Sequence, residues 1–60
     1  MNIKTLQTAT KRFPELTLYQ FESLVNAGPS PHAVLLRSIR LNIYFTLEDS
    51  CDLVNIVWNE

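Results

Sequence analysis

The chain has 60 residues, 47 % of them hydrophobic and 18 % charged, with a formal net charge of −1 at pH 7. That length holds one domain, residues 1–60, and a chain this short buries only roughly 60 % of the surface its unfolded form exposes. A single cysteine and a single histidine exclude a disulfide framework and fall short of the four ligands of a structural zinc site.

The hydrophobic content is that of a globular domain and too high for a disordered one. The longest apolar run, Ala33-Val34-Leu35-Leu36, is too short for a membrane span or a signal-peptide core. A lone thiol fits a reducing interior, and the expected location is the cytoplasm. Charge is unevenly spread. Residues 1–40 carry Lys4, Lys11, Arg12, Arg37 and Arg40 against Glu15 and Glu22; residues 41–60 carry Glu48, Asp49, Asp52 and Glu60 with no base. Such a split can mark a nucleic-acid face with an acidic tail. A solvated polar side on each half is the simpler reading.

In chain order, residues 3–13 show helical spacing, with Ile3, Leu6, Ala9 and Phe13 on one side. Asn2 is the candidate N-cap, Lys11 and Arg12 suit the dipole of the last turn, and Pro14 ends the element. Thr17-Leu18-Tyr19-Gln20 reads as a capping box, with Leu16 and Phe21 as its hydrophobic staple. Leu18, Phe21, Leu24 and Val25 make the apolar stripe, and Gly28 is placed as the left-handed residue that stops the helix. Ser30-Pro31 restarts the chain as N-cap and N1. The broad apolar face Val34, Leu35, Leu36 and Ile39 marks the third helix, running to about residue 41, as the central packing helix.

Residues 41–58 admit two readings. Asn42–Thr46 and Leu53–Trp58 have strand composition and would form a hairpin turning at 48–51. Against that, Thr46 followed by Leu47, Glu48 and Asp49 looks like a capped helix start, and Leu47, Cys51, Val54 and Trp58 keep a helical stripe. TLYQFESLVN (17–26) and TLEDSCDLVN (46–55) align without a gap and share Thr, Leu, Leu, Val and Asn. The expected fold is therefore all-α, four short helices in one small bundle; the alternative is α+β, three helices followed by a C-terminal β-hairpin.

No catalytic signature is present. One glycine is too few for a glycine-rich phosphate loop, and HExxH, CxxC and GxSxG motifs are lacking. The expected protein is not an enzyme and has no cofactor, no metal and no small-molecule substrate. Cys51 reads as a small hydrophobe and His32 as an exposed helix-start residue. Small chains without staples often complete their core with a partner. Tyr19 lies off the apolar stripe of its helix and Trp58 near a terminus, and exposed Tyr and Trp are the residue types that anchor interfaces.

The expected function is a regulatory or inhibitory module that binds a protein partner or a second copy of itself, of the kind mobile elements such as phages encode. The candidate protein-binding residues are Tyr19, Tyr44, Trp58 and the acidic group Glu48, Asp49 and Asp52. Because exposed charges contribute little to folding, reversing Asp49 and Asp52 is expected to leave the fold nearly intact. The alternative is a helix-turn-helix or winged-helix DNA-binding regulator using residues 17–41, with the hairpin as its wing. It would use Lys11, Arg12, Ser30, His32, Arg37 and Arg40. Few basic residues and an acidic pI of about 5.7 weigh against that alternative.

Overall fold

Four helices form where the caps predict them. The computed structural model describes residues 1–59, with α1 at Ile3–Arg12, α2 at Leu18–Asn26, α3 at Pro31–Arg40 and α4 at Leu47–Trp58. The described residues contain no strand. The hairpin reading of residues 41–58 is overturned, and the wing of the winged-helix alternative goes with it. The reason is local. The Thr46 hydroxyl accepts from the Asp49 N–H at 3.0 Å, and the Asp49 carboxylate accepts from the Thr46 N–H at 3.1 Å. This capping box starts a helix at the point where a hairpin would need to turn.

The other starts follow the same logic. The Asn2 side chain accepts from the Thr5 N–H at 2.8 Å. Thr17 and Gln20 form a second reciprocal box, and Ser30 caps α3 with Pro31 at N1. Two left-handed residues stop the helices. Gly28 ends α2 with φ +104°, and its N–H reaches the Val25 carbonyl at 3.1 Å. Asn42, at φ 59°, ends α3 in a Schellman motif: Ile43 N–H bonds the Ser38 carbonyl and Asn42 N–H the Ile39 carbonyl.

Packing is organised around α4. It meets each of the other three helices, while α1 packs on α4 alone and α2 also packs on α3. The core consists of Ala9, Phe13, Phe21, Leu24, Val34, Leu53, Val54 and Val57. Three small hydroxyl residues, Thr5, Ser38 and Ser50, are buried with it. The two aligned segments share a capping box and two buried positions. Thr17 and Thr46 cap, Phe21 and Ser50 are buried at the same helical position, and so are Leu24 and Leu53. The same offset pairs Thr5 with Val34 and Ala9 with Ser38, all buried, so the chain repeats one helix-pair burial pattern twice.

Several expected core faces are rotated. On α3 the buried residues are Val34 and Ser38, whereas Leu36 and Ile39 are exposed. The central helix is thus α4, not α3. On α4 the buried stripe is Ser50, Leu53, Val54 and Val57. Leu47, Cys51 and Trp58 lie on the outward side, and Cys51 is an exposed thiol. Ile3 on α1 and Leu18 on α2 are exposed as well. On α1, α3 and α4 a small hydroxyl residue, Thr5, Ser38 or Ser50, takes a buried position that a count of apolar residues does not assign to it.

The stop at Gly28 yields a direct test. A Cβ built there meets nothing within 4 Å, so Gly28→Ala carries only the backbone cost of a left-handed conformation, about 1 kcal/mol. Urea unfolding should show that loss for Gly28→Ala, and no loss for Asn42→Gly, which relieves the same constraint at the end of α3.

Candidate protein-binding site

The last residue of α1 closes onto the first turns of α4. Arg12 Nη2 donates to Asp49 Oδ1 at 3.0 Å and to Asp52 Oδ2 at 2.9 Å. Its guanidinium carbon also lies 4.5 Å from the centroid of the Phe13 ring. Asp49 therefore serves two structures at once, because its second oxygen accepts from the Thr46 N–H. Partial burial works to raise the Asp49 pKa, but hydrogen bonds from the Thr46 N–H and the Arg12 guanidinium outweigh it, and the carboxyl is held below its ordinary value. Hydrogen bonds to Asp52 and Asp49 raise the pKa of Arg12 correspondingly.

This geometry corrects the expectation that reversing Asp49 and Asp52 would leave the fold nearly intact. A cation at position 49 would remove an acceptor from the α4 cap and face Arg12, and one at position 52 would face Arg12 as well. The acidic group and one of the basic candidates are partners of each other.

Beside this clamp lies a recess of about 550 Å³. Phe13, Leu16, Ile43 and Phe45 give it an apolar lining, and the Phe13 and Phe45 rings sit 5.1 Å apart between centroids, tilted by 44°. Arg12, Glu15, Gln20, Tyr44 and Asp49 supply its polar edge. The connection 41–46 delivers three of these residues, because the left-handed Asn42 turns the chain out of α3 and the Thr46 cap turns it into α4. Tyr44 is 90 % exposed and has no hydrogen bond or ring contact among the described residues.

Of the candidate protein-binding residues, the structure brings Tyr44, Asp49 and Asp52 together around this recess and its Arg12 clamp. Glu48 is exposed in the same first turn of α4. Tyr19 is elsewhere, on a shallow groove along α2 with Leu18, Glu22 and Asn26. Trp58, half-exposed, lies about 14 Å further along α4 than Asp49 at the helical rise per residue. The sequence reading missed Phe13, Ile43 and Phe45 as surface-lining residues. Their only signal was that they flank Pro14 and the residues before Thr46, where the chain must turn.

The nucleic-acid candidates divide between the end of α1, with Lys11 and Arg12, and α3 with its cap, where Arg37 and Arg40 line one groove. Arg12 is held by two carboxylates. Arg37 donates to the Ser23 carbonyl at 2.9 Å and to its hydroxyl at 3.2 Å, tying α3 to α2. The Ser30 hydroxyl is used as a cap. Lys11, His32 and Arg40 are exposed, and Lys4 lines a separate groove with Thr5, Thr8 and Ile56. Among the described residues, no helix is long and apolar enough to cross a membrane.

Comparison of the chain with protein-family models, with curated proteins and with solved structures finds no match. The chemistry of the surface is what bears on function.

The Asp49 contacts predict a pH effect of definite sign. A carboxyl whose folded pKa lies below its ordinary 3.8 stabilises fully above that value and loses its contribution as pH falls through the lowered one. Urea midpoints should therefore fall less steeply with acidification for Asp49→Asn than for the parent chain. Parallel curves would mean that the carboxylate is not held as described.

Proposed function

We propose that this chain is a small non-enzymatic module that regulates or inhibits by binding a protein partner. The observation that carries this reading is Tyr44, almost wholly exposed at the edge of an aromatic-lined recess. Tyrosine combines a large apolar ring with a polar tip, and it is enriched where interfaces are anchored. Loose packing does not account for the exposure. The accessible surface of 4125 Å² is close to the roughly 4000 Å² expected of a folded chain of this mass.

The distribution of charge supports the same reading. Arg12 and Arg37 are engaged within the chain, which leaves Lys4, Lys11 and Arg40 for any phosphate contact. These do not line a common groove. The one imidazole, His32, is exposed at the start of α3 and lies outside the recess, which leaves the recess without a general base of that kind.

A photocrosslinking residue at position 44, compared with one at the exposed position 8 on α1, tests the reading in extracts of the source cell. A discrete protein adduct is expected from position 44 and none from position 8. Equal capture from both positions would overturn it. So would salt-sensitive binding of random duplex DNA between about 50 and 200 mM salt, the range in which phosphate-driven association weakens steeply.

A further inference from the structure

We infer that the recess between Phe13, Ile43 and Phe45 accepts one large apolar side chain from a basic segment of a partner protein. The inference rests on the protein-binding reading above and specifies the chemistry of the partner. Two features of the site lead to it. The walls are aromatic and aliphatic: Phe13 and Phe45 pack on each other at 5.1 Å and line the recess with Leu16 and Ile43, so its lining favours an apolar occupant. The edge is acidic. Glu15 lines the recess and Glu48 stands in the adjoining turn of α4; neither has an ion-pair partner among the described residues.

Asp49 and Asp52 already share the single guanidinium of Arg12. Four carboxylates thus stand near one guanidinium, whose Nη2 already serves two of them. Apolar walls concentrate the field of such a group. An acidic or neutral segment would meet uncompensated negative charge, whereas lysine or arginine on either side of the inserted residue would meet Glu15 and Glu48. Tyr44 contributes its exposed ring as the surface against which the segment closes.

The probe is a heptapeptide, Gly-Lys-Lys-Phe-Lys-Lys-Gly, titrated into the isotopically labelled full chain and followed by amide chemical shifts. Two control peptides replace all lysines by glutamate or the phenylalanine by alanine. Shifts are expected at residues 15–16 and 43–49. Each control peptide should bind about tenfold more weakly, as should the parent peptide to Glu15→Lys or Tyr44→Ala, the loss that one charge contact or one buried ring represents. Glu15 and Tyr44 are both exposed, so the variants keep their fold, which their own spectra verify.

Equal affinity for the glutamate peptide, equal affinity for the alanine peptide, or shifts confined to another face would each overturn the inference. Shifts at the recess that depend on protein concentration alone would also overturn it, because the occupant would then be a second copy. If no peptide perturbs the recess while position 44 still crosslinks a partner, the basic-segment chemistry fails and the protein-binding reading stands. If position 44 captures nothing, that reading fails whatever the peptides do.

Discussion

The first turn of α4 is the point on which the rest of the bundle depends. Every other helix packs against α4, so its starting position fixes the frame for all of them. That start is set by one carboxylate with two duties. Asp49 completes the reciprocal cap with Thr46, a local interaction three residues long, and it receives Arg12 from the far side of the chain. A local rule of helix initiation and a contact spanning 37 residues converge on the same side chain. In a chain without a disulfide or a metal framework, such convergence adds to the order that a core of eight buried apolar residues provides.

The way this core is filled explains the surface. Ser38 and Ser50 are wholly buried, as is Ala9, and these small side chains let helices approach closely. The serine hydroxyls are satisfied within their own helices: Ser38 donates to the Leu35 carbonyl at 2.6 Å, and Ser50 to the Thr46 carbonyl at 3.1 Å. Tight contacts through small residues leave larger ones to face outward. Leu36 and Ile39 on α3, and Leu47 and Trp58 on α4, are exposed. The aromatic-lined recess arises differently, from two connections. The 13–17 and 41–46 segments both turn at the same end of α4 and bring Phe13 and Phe45 together.

What the sequence made legible was whatever is decided within four residues. The boxes at Thr17 and Thr46, the cap at Ser30, proline at N1 and glycine past the end of α2 all appear where spacing placed them. They also settle the fold class, because a capped start at Thr46 is incompatible with a hairpin turn at 48–51. Burial was less legible. A count of apolar residues placed Leu36, Ile39 and Leu47 on packing faces, since it gives no weight to a serine that can satisfy itself against its own helix. The site was only half readable. Tyr44 and the acidic turn stood out by residue type, but nothing local indicates that Arg12 would reach residues 37 and 40 positions away. That pairing merged two candidate sets, one basic and one acidic, into a single structural element.

The connectivity of α1 has one more consequence. This helix rests on α4 and on no other helix, and a short segment, residues 13–17, on its C-terminal side joins it to α2. It can lift away as a unit without breaking any contact between α2 and α3. The opening would uncover the flank of α4 that carries Ile56 and would release Arg12 from both aspartates. Subglobal opening in small proteins follows such divisions. A division along this topology would separate an N-terminal arm from a three-helix remainder that keeps its own hydrogen bonds, including Arg37 to Ser23.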